Sequence, residues 1–161
     1  MAKIKFKVEG MNELQKSIKK LGKVPQKHVT ASSKKGMSIV LKQARANAPY
    51  DTGALKRGIK LVGEKAKVKG KKVYRIVFDR AMNDIFQKKN KEGKVTGYYP
   101  VSMEYGFYDK KGVYHQSSAN TGWIVGFIHS ALNDNTQKVA QTIVGEMKKK
   151  IDDEIRKAGL R

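Results

Sequence analysis

Three histidines, His28, His115 and His129, are the side chains in this sequence that would move a proton near neutral pH. No two of them stand at metal-ligand spacing. Without cysteine, a zinc site would need carboxylates, and none cluster near a histidine. Serine, histidine and aspartate are all present, but no Gly-x-Ser-x-Gly elbow organises a nucleophile. No Gly-x-x-x-x-Gly-Lys-Ser/Thr loop offers a phosphate cradle. Asp152-Asp153-Glu154 has the donor types for a hard cation, yet on an amphipathic helix it reads as a solvated face. Glu104 is one carboxylate among aromatics; it reads as a satisfied structural group before a general base. The expectation is a non-enzyme with no metal and no cofactor.

The most informative stretch is Asn47-Ala48-Pro49-Tyr50-Asp51-Thr52-Gly53-Ala54-Leu55. Pro49 has no amide hydrogen and disfavours helix at Ala48, so a helix arriving there should stop. Asp51 and Thr52 can accept backbone amides a few residues on, as a turn or an N-cap requires. Gly53 permits a backbone angle that other residues resist, and Leu55 gives the next element an apolar anchor. On spacing alone this is an ordinary helix–turn junction, a helix stop followed by a capped restart.

The elements around it follow from periodicity. Lys3-Ile4-Lys5-Phe6-Lys7-Val8 alternates, which predicts a strand. Met11, Leu14, Ile18 and Leu21 share a helical face, with Gly22 as C-cap. Pro25 then suits the start of a second helix over 26–48, with Val29, Ser33, Met37, Val40, Leu41, Ala44 and Ala48 inward. A helical turn from Ala54 to Arg57 precedes a strand at Ile59 and Leu61. Lys69-Gly70-Lys71 reads as a hairpin turn, and Val73 to Phe78 as a central strand. Exposed, mobile loops are expected near 87–97 and 108–122, the second turning at Asp109-Lys110-Lys111-Gly112. From Asn135 a long helix places Val139, Ile143, Met147, Ile151 and Ile155 on one face until Gly159, with Asp152→Arg156 and Asp153→Lys157 pairs. The expectation is one α+β domain over 1–161: an antiparallel sheet of three to five strands, packed with a long central helix and a long C-terminal helix.

The 161 residues suffice for one domain with a core. Net charge is +21, unevenly spread: residues 1–80 hold 22 basic against 5 acidic side chains (+17), and residues 81–161 hold 13 against 9 (+4). Such an excess favours a polyanionic neighbour, whether nucleic acid, an acidic protein surface or a membrane. Aromatic residues are not interleaved with the basic run, which disfavours a single-strand or RNA reader. No secretory h-region and no bilayer-length apolar run are present, so a soluble intracellular product with no membrane partner is expected.

Three stretches in fixed order carry a resemblance. They are Ala48-Pro49-Tyr50-Asp51-Thr52-Gly53-Ala54-Leu55, Tyr98-Tyr99-Pro100-Val101-Ser102-Met103-Glu104-Tyr105-Gly106, and Gly126-Phe127-Ile128-His129-Ser130-Ala131-Leu132. With a helix before and a long helix after, this order resembles the tail-completion (minor tail, head–tail joining, neck) proteins of long-tailed double-stranded DNA phages and prophages. Ala48, Pro49, Thr52, Gly53 and Leu55 match the first motif, with Asp51 at its acidic position. Tyr98 or Tyr99, Glu104, Tyr105 and Gly106 match the second, and Phe127, Ala131 and Leu132 the third. Phe107 stands where the family usually has Thr, and Gly126 where Pro is common.

The resemblance implies a structural, non-catalytic virion subunit, made in the host cytoplasm, that assembles as a six-fold ring at the top of the tail. Its implied partners are copies of itself, neck proteins and tail-tube proteins, with non-specific contact to DNA in the channel. The alternative is a basic nucleic-acid-binding accessory protein; no recognised DNA-binding motif supports it.

Overall fold

The computed structural model describes residues 11–65, 72–118 and 123–159. Helix α1 spans Met11–Asn47, and α2 spans Ala54–Gly58. Strands β1, Ile59–Gly63, and β2, Tyr74–Phe78, pair antiparallel from Ile59 opposite Phe78 to Gly63 opposite Tyr74. A 3₁₀ turn, Arg80–Met82, leads into helix α3, Asn83–Phe86. Strands β3, Gln87–Lys89, and β4, Val95–Tyr98, form a second ribbon, and α4 follows at Tyr99–Tyr105. Two short ribbons come next: β5, Phe107–Tyr108, with β6, Tyr114–His115, and β7, Ser117–Ser118, with β8, Trp123–Ile124. Helix α5, Phe127–Lys157, ends the described chain. The class is α+β with two long helices, and its antiparallel strands are distributed over four two-stranded ribbons.

The two long helices lie antiparallel along a seam of small residues. On α1, burial falls at Ser32, Gly36, Val40, Ala44 and, just past the helix end, Ala48, in steps of four. Such a row forms a ridge inclined to the helix axis, into which a partner helix can seat. A β-carbon at Gly36 would lie 2.6 Å from Cγ1 of Ile143 and 3.2 Å from the carbonyl of Val139, so only glycine lets α5 come this close. Farther along the seam, Lys35 donates to Glu146 at 2.6 Å and His28 meets Glu154 at 3.3 Å. At the other end Ala48, Leu55, Ile59 and Phe127 form a second buried cluster beside Val40, Ala44, Ala131 and Val139.

The β1–β2 ribbon is fastened to α1 at two points. The Arg45 guanidinium donates from Nη2 and Nε to the Ile59 carbonyl at 2.7 and 3.2 Å, and the Tyr74 hydroxyl donates to the Thr30 carbonyl at 3.0 Å. Phe78 then meets Phe86, Tyr98 and Phe127 edge-on or tilted, with ring centroids 6.2–6.5 Å apart, geometries that suit aromatic quadrupoles. Gly58 makes room for this cluster: a β-carbon there would sit 2.3 Å from the Phe86 ring.

Several expectations change. Helix α1 does not stop at Gly22 and restart at Pro25; it runs through both. A proline removes one backbone bond and costs about 3 kcal/mol in a helix interior, a local penalty that a 37-residue helix carries. The buried row passes through Ser32; Val29, Ser33, Met37 and Leu41 flank it half-buried. Helix α5 begins at Phe127, eight residues before the expected Asn135, because its cap comes from elsewhere in the fold. Near its end Arg156 pairs with Asp153 at i,i+3, and no Asp152–Arg156 or Asp153–Lys157 ion pair is present among the described residues. Strand β2 has only β1 as a neighbour among the described residues, so it is not central there. The stretches 87–97 and 107–115 are exposed, and each is built as a hairpin. The strand over Ile4 to Val8 and the turn at Lys69-Gly70-Lys71 lie outside the described residues.

Candidate functional site

The three motif stretches converge where α1 ends and α5 begins. The first stretch closes α1 with an Ala48 amide bond to Ala44 at 3.0 Å. Pro49 cannot continue the ladder, and the chain turns at Gly53, whose φ of 73° is the left-handed region that favours glycine. The Thr52 Oγ1 accepts the Ala54 amide at 3.3 Å, and the Gly53 carbonyl accepts the Arg57 amide at 3.1 Å to start α2. Leu55 is thereby driven into the core at 2% exposure. Asp51 stays exposed.

The second stretch supplies the cap of α5. Glu104, 6% exposed, accepts the Ile128 amide on Oε2 at 2.9 Å and the His129 amide on Oε1 at 3.1 Å. Its own carbonyl accepts the Gly126 amide at 2.6 Å. A carboxylate on the first amides of a helix satisfies donors that have no partner within the helix and lies at the positive end of its dipole. Both oxygens are thereby engaged. Gly106 closes α4 at φ 80°, where a β-carbon would meet the His115 carbonyl at 2.5 Å.

Tyr99 opens α4 and turns toward the first stretch. Pro49, Asp51, Thr52, Gly53, Ile85 and Tyr99 line an open cleft of about 280 Å³. Burial pushes the Tyr99 phenol above its ordinary value, and the negative charge of Asp51 pushes the same way. Of the third stretch, Phe127 and Ala131 are buried, while Leu132 is exposed.

The fold thus gathers Ala48, Leu55 and Phe127 in one buried cluster, Pro49, Asp51, Thr52, Gly53 and Tyr99 around one cleft, and Glu104, from α4, against the first amides of the helix that Phe127 opens. It does not bring Tyr105 or Leu132 into either group: Tyr105 is 70% exposed. Ile85, which lines the cleft and is itself exposed, gave no functional signal in the sequence beyond a helical turn at Ile85-Phe86.

The cleft lining holds one carboxylate, Asp51, and two hydroxyls, those of Thr52 and Tyr99. Among the described residues no group of three or more His, Cys, Asp or Glu could hold a metal ion, and no helix is long and apolar enough to cross a membrane. What the surface does offer is contact area. Tyr105, Phe107, Tyr108, Val113 and Tyr114 are all exposed on α4 and the β5–β6 hairpin. Aromatic residues are enriched where proteins meet proteins. The hairpin is held in shape rather than left loose. The Tyr114 hydroxyl donates to the Tyr105 carbonyl at 2.5 Å, His115 stacks on Phe107 with centroids 5.2 Å apart, and Asp109 Oδ1 accepts the Lys111 and Val113 amides at 2.8 and 2.9 Å.

Residues 12–97, just over half of the chain, match the family model described as "Bacteriophage HK97-gp10, putative tail-component". No curated protein and no solved structure matches the chain. The matched span covers nearly all of α1, the Ala48–Leu55 junction and both ribbons that follow, up to Gly97.

Proposed function

Because this chain belongs to the HK97-gp10-like family of bacteriophage tail components, we propose that it is a structural subunit that completes the top of a phage tail and helps join it to the head. A tail component is part of the virion; within the virion the proposed place is a six-fold ring between the tail tube and the neck proteins. The protein would be made in the host cytoplasm before assembly, and DNA passing the ring would meet it without sequence preference.

The observation that carries this reading is the division of the surface from the core. The motif residues Ala48, Leu55, Glu104 and Phe127 are spent on fixing one corner of the fold. The exposed aromatic residues stand on the preformed hairpin next to that corner. A subunit that works by being held between neighbours needs that combination, a rigid corner and an apolar projection.

The test is electron microscopy of an induced lysate in which this gene alone is deleted. Filled heads and free tails in equal abundance, with no joined particles, are the expected result. Overlong or missing tails would move the role to tail-length termination or tail assembly. Normal virions in normal number would overturn the structural reading.

A further inference from the structure

Opposite chemistry stands on the two sides of α2. On one side, Ser38, Leu41, Lys42, Arg45, Ala46 and Lys56 line a groove of about 450 Å³. It holds three cations and no carboxylate. Arg45 is fixed by its bonds to the Ile59 carbonyl, while Lys42 and Lys56 are exposed and form no ion pair among the described residues. On the other side, Ile85, 59% exposed, lines the cleft, and Tyr50, 77% exposed, stands in sequence between its lining residues Pro49 and Asp51. Beside each in sequence stands an exposed aspartate, Asp51 and Asp84. Glu64, Asp79, Asp109, Glu146 and Asp153 are engaged in ion pairs, whereas Asp51 and Asp84, like Glu92, Asp134 and Asp152, form none among the described residues; Asp51 lines the cleft and Asp84 adjoins its lining residue Ile85. Arg57, a cation at the same turn, donates Nη1 to the Thr52 carbonyl at 3.2 Å.

We propose that these two patches are the halves of one contact between neighbouring copies of the chain. The Tyr50–Asp51 and Asp84–Ile85 rim of one copy enters the Lys42–Arg45–Lys56 groove of the next. The carboxylates face the ammonium groups, and Ile85 covers Leu41 and Ala46. Two copies this basic repel each other, so association requires places where opposite charges meet, and complementary patches steer the encounter and fix its register. The two patches differ, so the contact is heterologous and repeats from copy to copy, closing a ring when the rotation allows. This inference rests on the proposed ring and names the surfaces that would build it.

The chain has no cysteine, so Ser38→Cys and Tyr50→Cys can be introduced as a unique pair, one beside the groove and one on the rim. Tails recovered from lysates carrying this gene are treated with a short bis-maleimide. The pair in one chain is expected to give a ladder of cross-linked copies, and either cysteine alone none. In the same background Asp51→Lys with Asp84→Lys is expected to reduce the ladder at least about tenfold, since like charges now face each other. Adding Lys42→Glu and Lys56→Glu to that chain restores it. No ladder from the pair, a dimer from either single cysteine, or no restoration by the second charge swap overturns the contact. A lysine-reactive cross-linker applied to unsubstituted tails separates the two failures. Copy-to-copy products there leave the ring standing without this contact; their absence overturns the ring itself.

Discussion

Glu104 and Ile128 are 24 residues apart in sequence and joined by a 2.9 Å hydrogen bond from the Ile128 amide to the Glu104 carboxylate. That bond decides where α5 begins. Its removal leaves the first amides of the helix and a buried site without their acceptor. A hydrogen bond to a charged group contributes about 1.5–3 kcal/mol, so Glu104→Ala is expected to lower unfolding stability by about 2–3 kcal/mol. Glu104→Gln, which keeps one acceptor, should lose less. Chemical denaturation followed by circular dichroism measures both, and equal stability of Glu104→Ala and wild type would contradict the capping role.

Gly36 supports a second prediction. In an exposed helix, Gly→Ala gains about 1 kcal/mol from propensity. Here the added β-carbon would meet Ile143 at 2.6 Å, and overpacking costs about 1–3 kcal/mol. Gly36→Ala is therefore expected to destabilise, and Gly36→Val more so. In an Ile143→Ala background, which removes that γ carbon, Gly36→Ala should cost less than it does in the wild type. A double-mutant cycle with no coupling between the two positions would show that the seam relaxes freely.

Gly53 carries the turn at φ 73°. A β-branched residue is strained in that region, at about 1–3 kcal/mol. Gly53→Val should lower stability by that amount and reduce incorporation into tails, whereas Gly53→Asn, which tolerates the conformation, should lose clearly less. Immunoblotting of purified tails together with thermal melting separates the folding effect from the assembly effect.

Ser32 is fully buried on the seam, and its hydroxyl has no hydrogen-bond partner among the described residues. A buried hydroxyl without a partner is costly. Ser32→Ala keeps the small volume, removes the polar atom and improves helix propensity. A gain of about 1 kcal/mol is expected on denaturation; a loss would show that the hydroxyl is satisfied in solution.

The Lys35–Glu146 pair gives the seam a pH dependence. The hydrogen bond from Lys35 holds the Glu146 carboxyl below its ordinary 4.5. A depressed folded-state value means the contribution is fully present above 4.5 and is lost as pH falls through the lower folded-state value. The stability difference between wild type and Lys35→Met should therefore be largest near neutrality and vanish in acid. Because Lys35 is well exposed, added salt should shrink it as well.

How far the sequence disclosed this fold depends on the range of the forces involved. The face of α5 from Val139 to Ile155 was legible because periodicity is a local property. The strands of the β1–β2 ribbon were legible because Ile59 and Leu61 alternate with their neighbours and because β-branched and aromatic residues crowd Tyr74–Phe78. The start of α5 was not, because its cap arrives from Glu104 through the tertiary fold. Gly22 and Pro25 read as a break, yet α1 passes through them. Gly36 reads as a weakness in a helix, yet it is the point of closest approach to α5. At the candidate site, the order of the three motifs was legible. The pairing of Asp51 with Ile85 around one cleft was not, since nothing local links residues that far apart.

The small-residue seam also has a mechanical consequence. At 1.5 Å per residue, the antiparallel helices α1 and α5 are struts of about 55 and 46 Å. Pulling one along the other loads the seam in shear, and the side chains of α5 would have to climb over the ridge of α1 together before either strut slides. Prising the struts apart from one end loads the seam a row at a time. The carboxylate tie at Glu104 clamps the end where peeling would begin at Phe127. A part built this way is stiff along its length, so strain carried down a tail would be passed on by this subunit before it was absorbed.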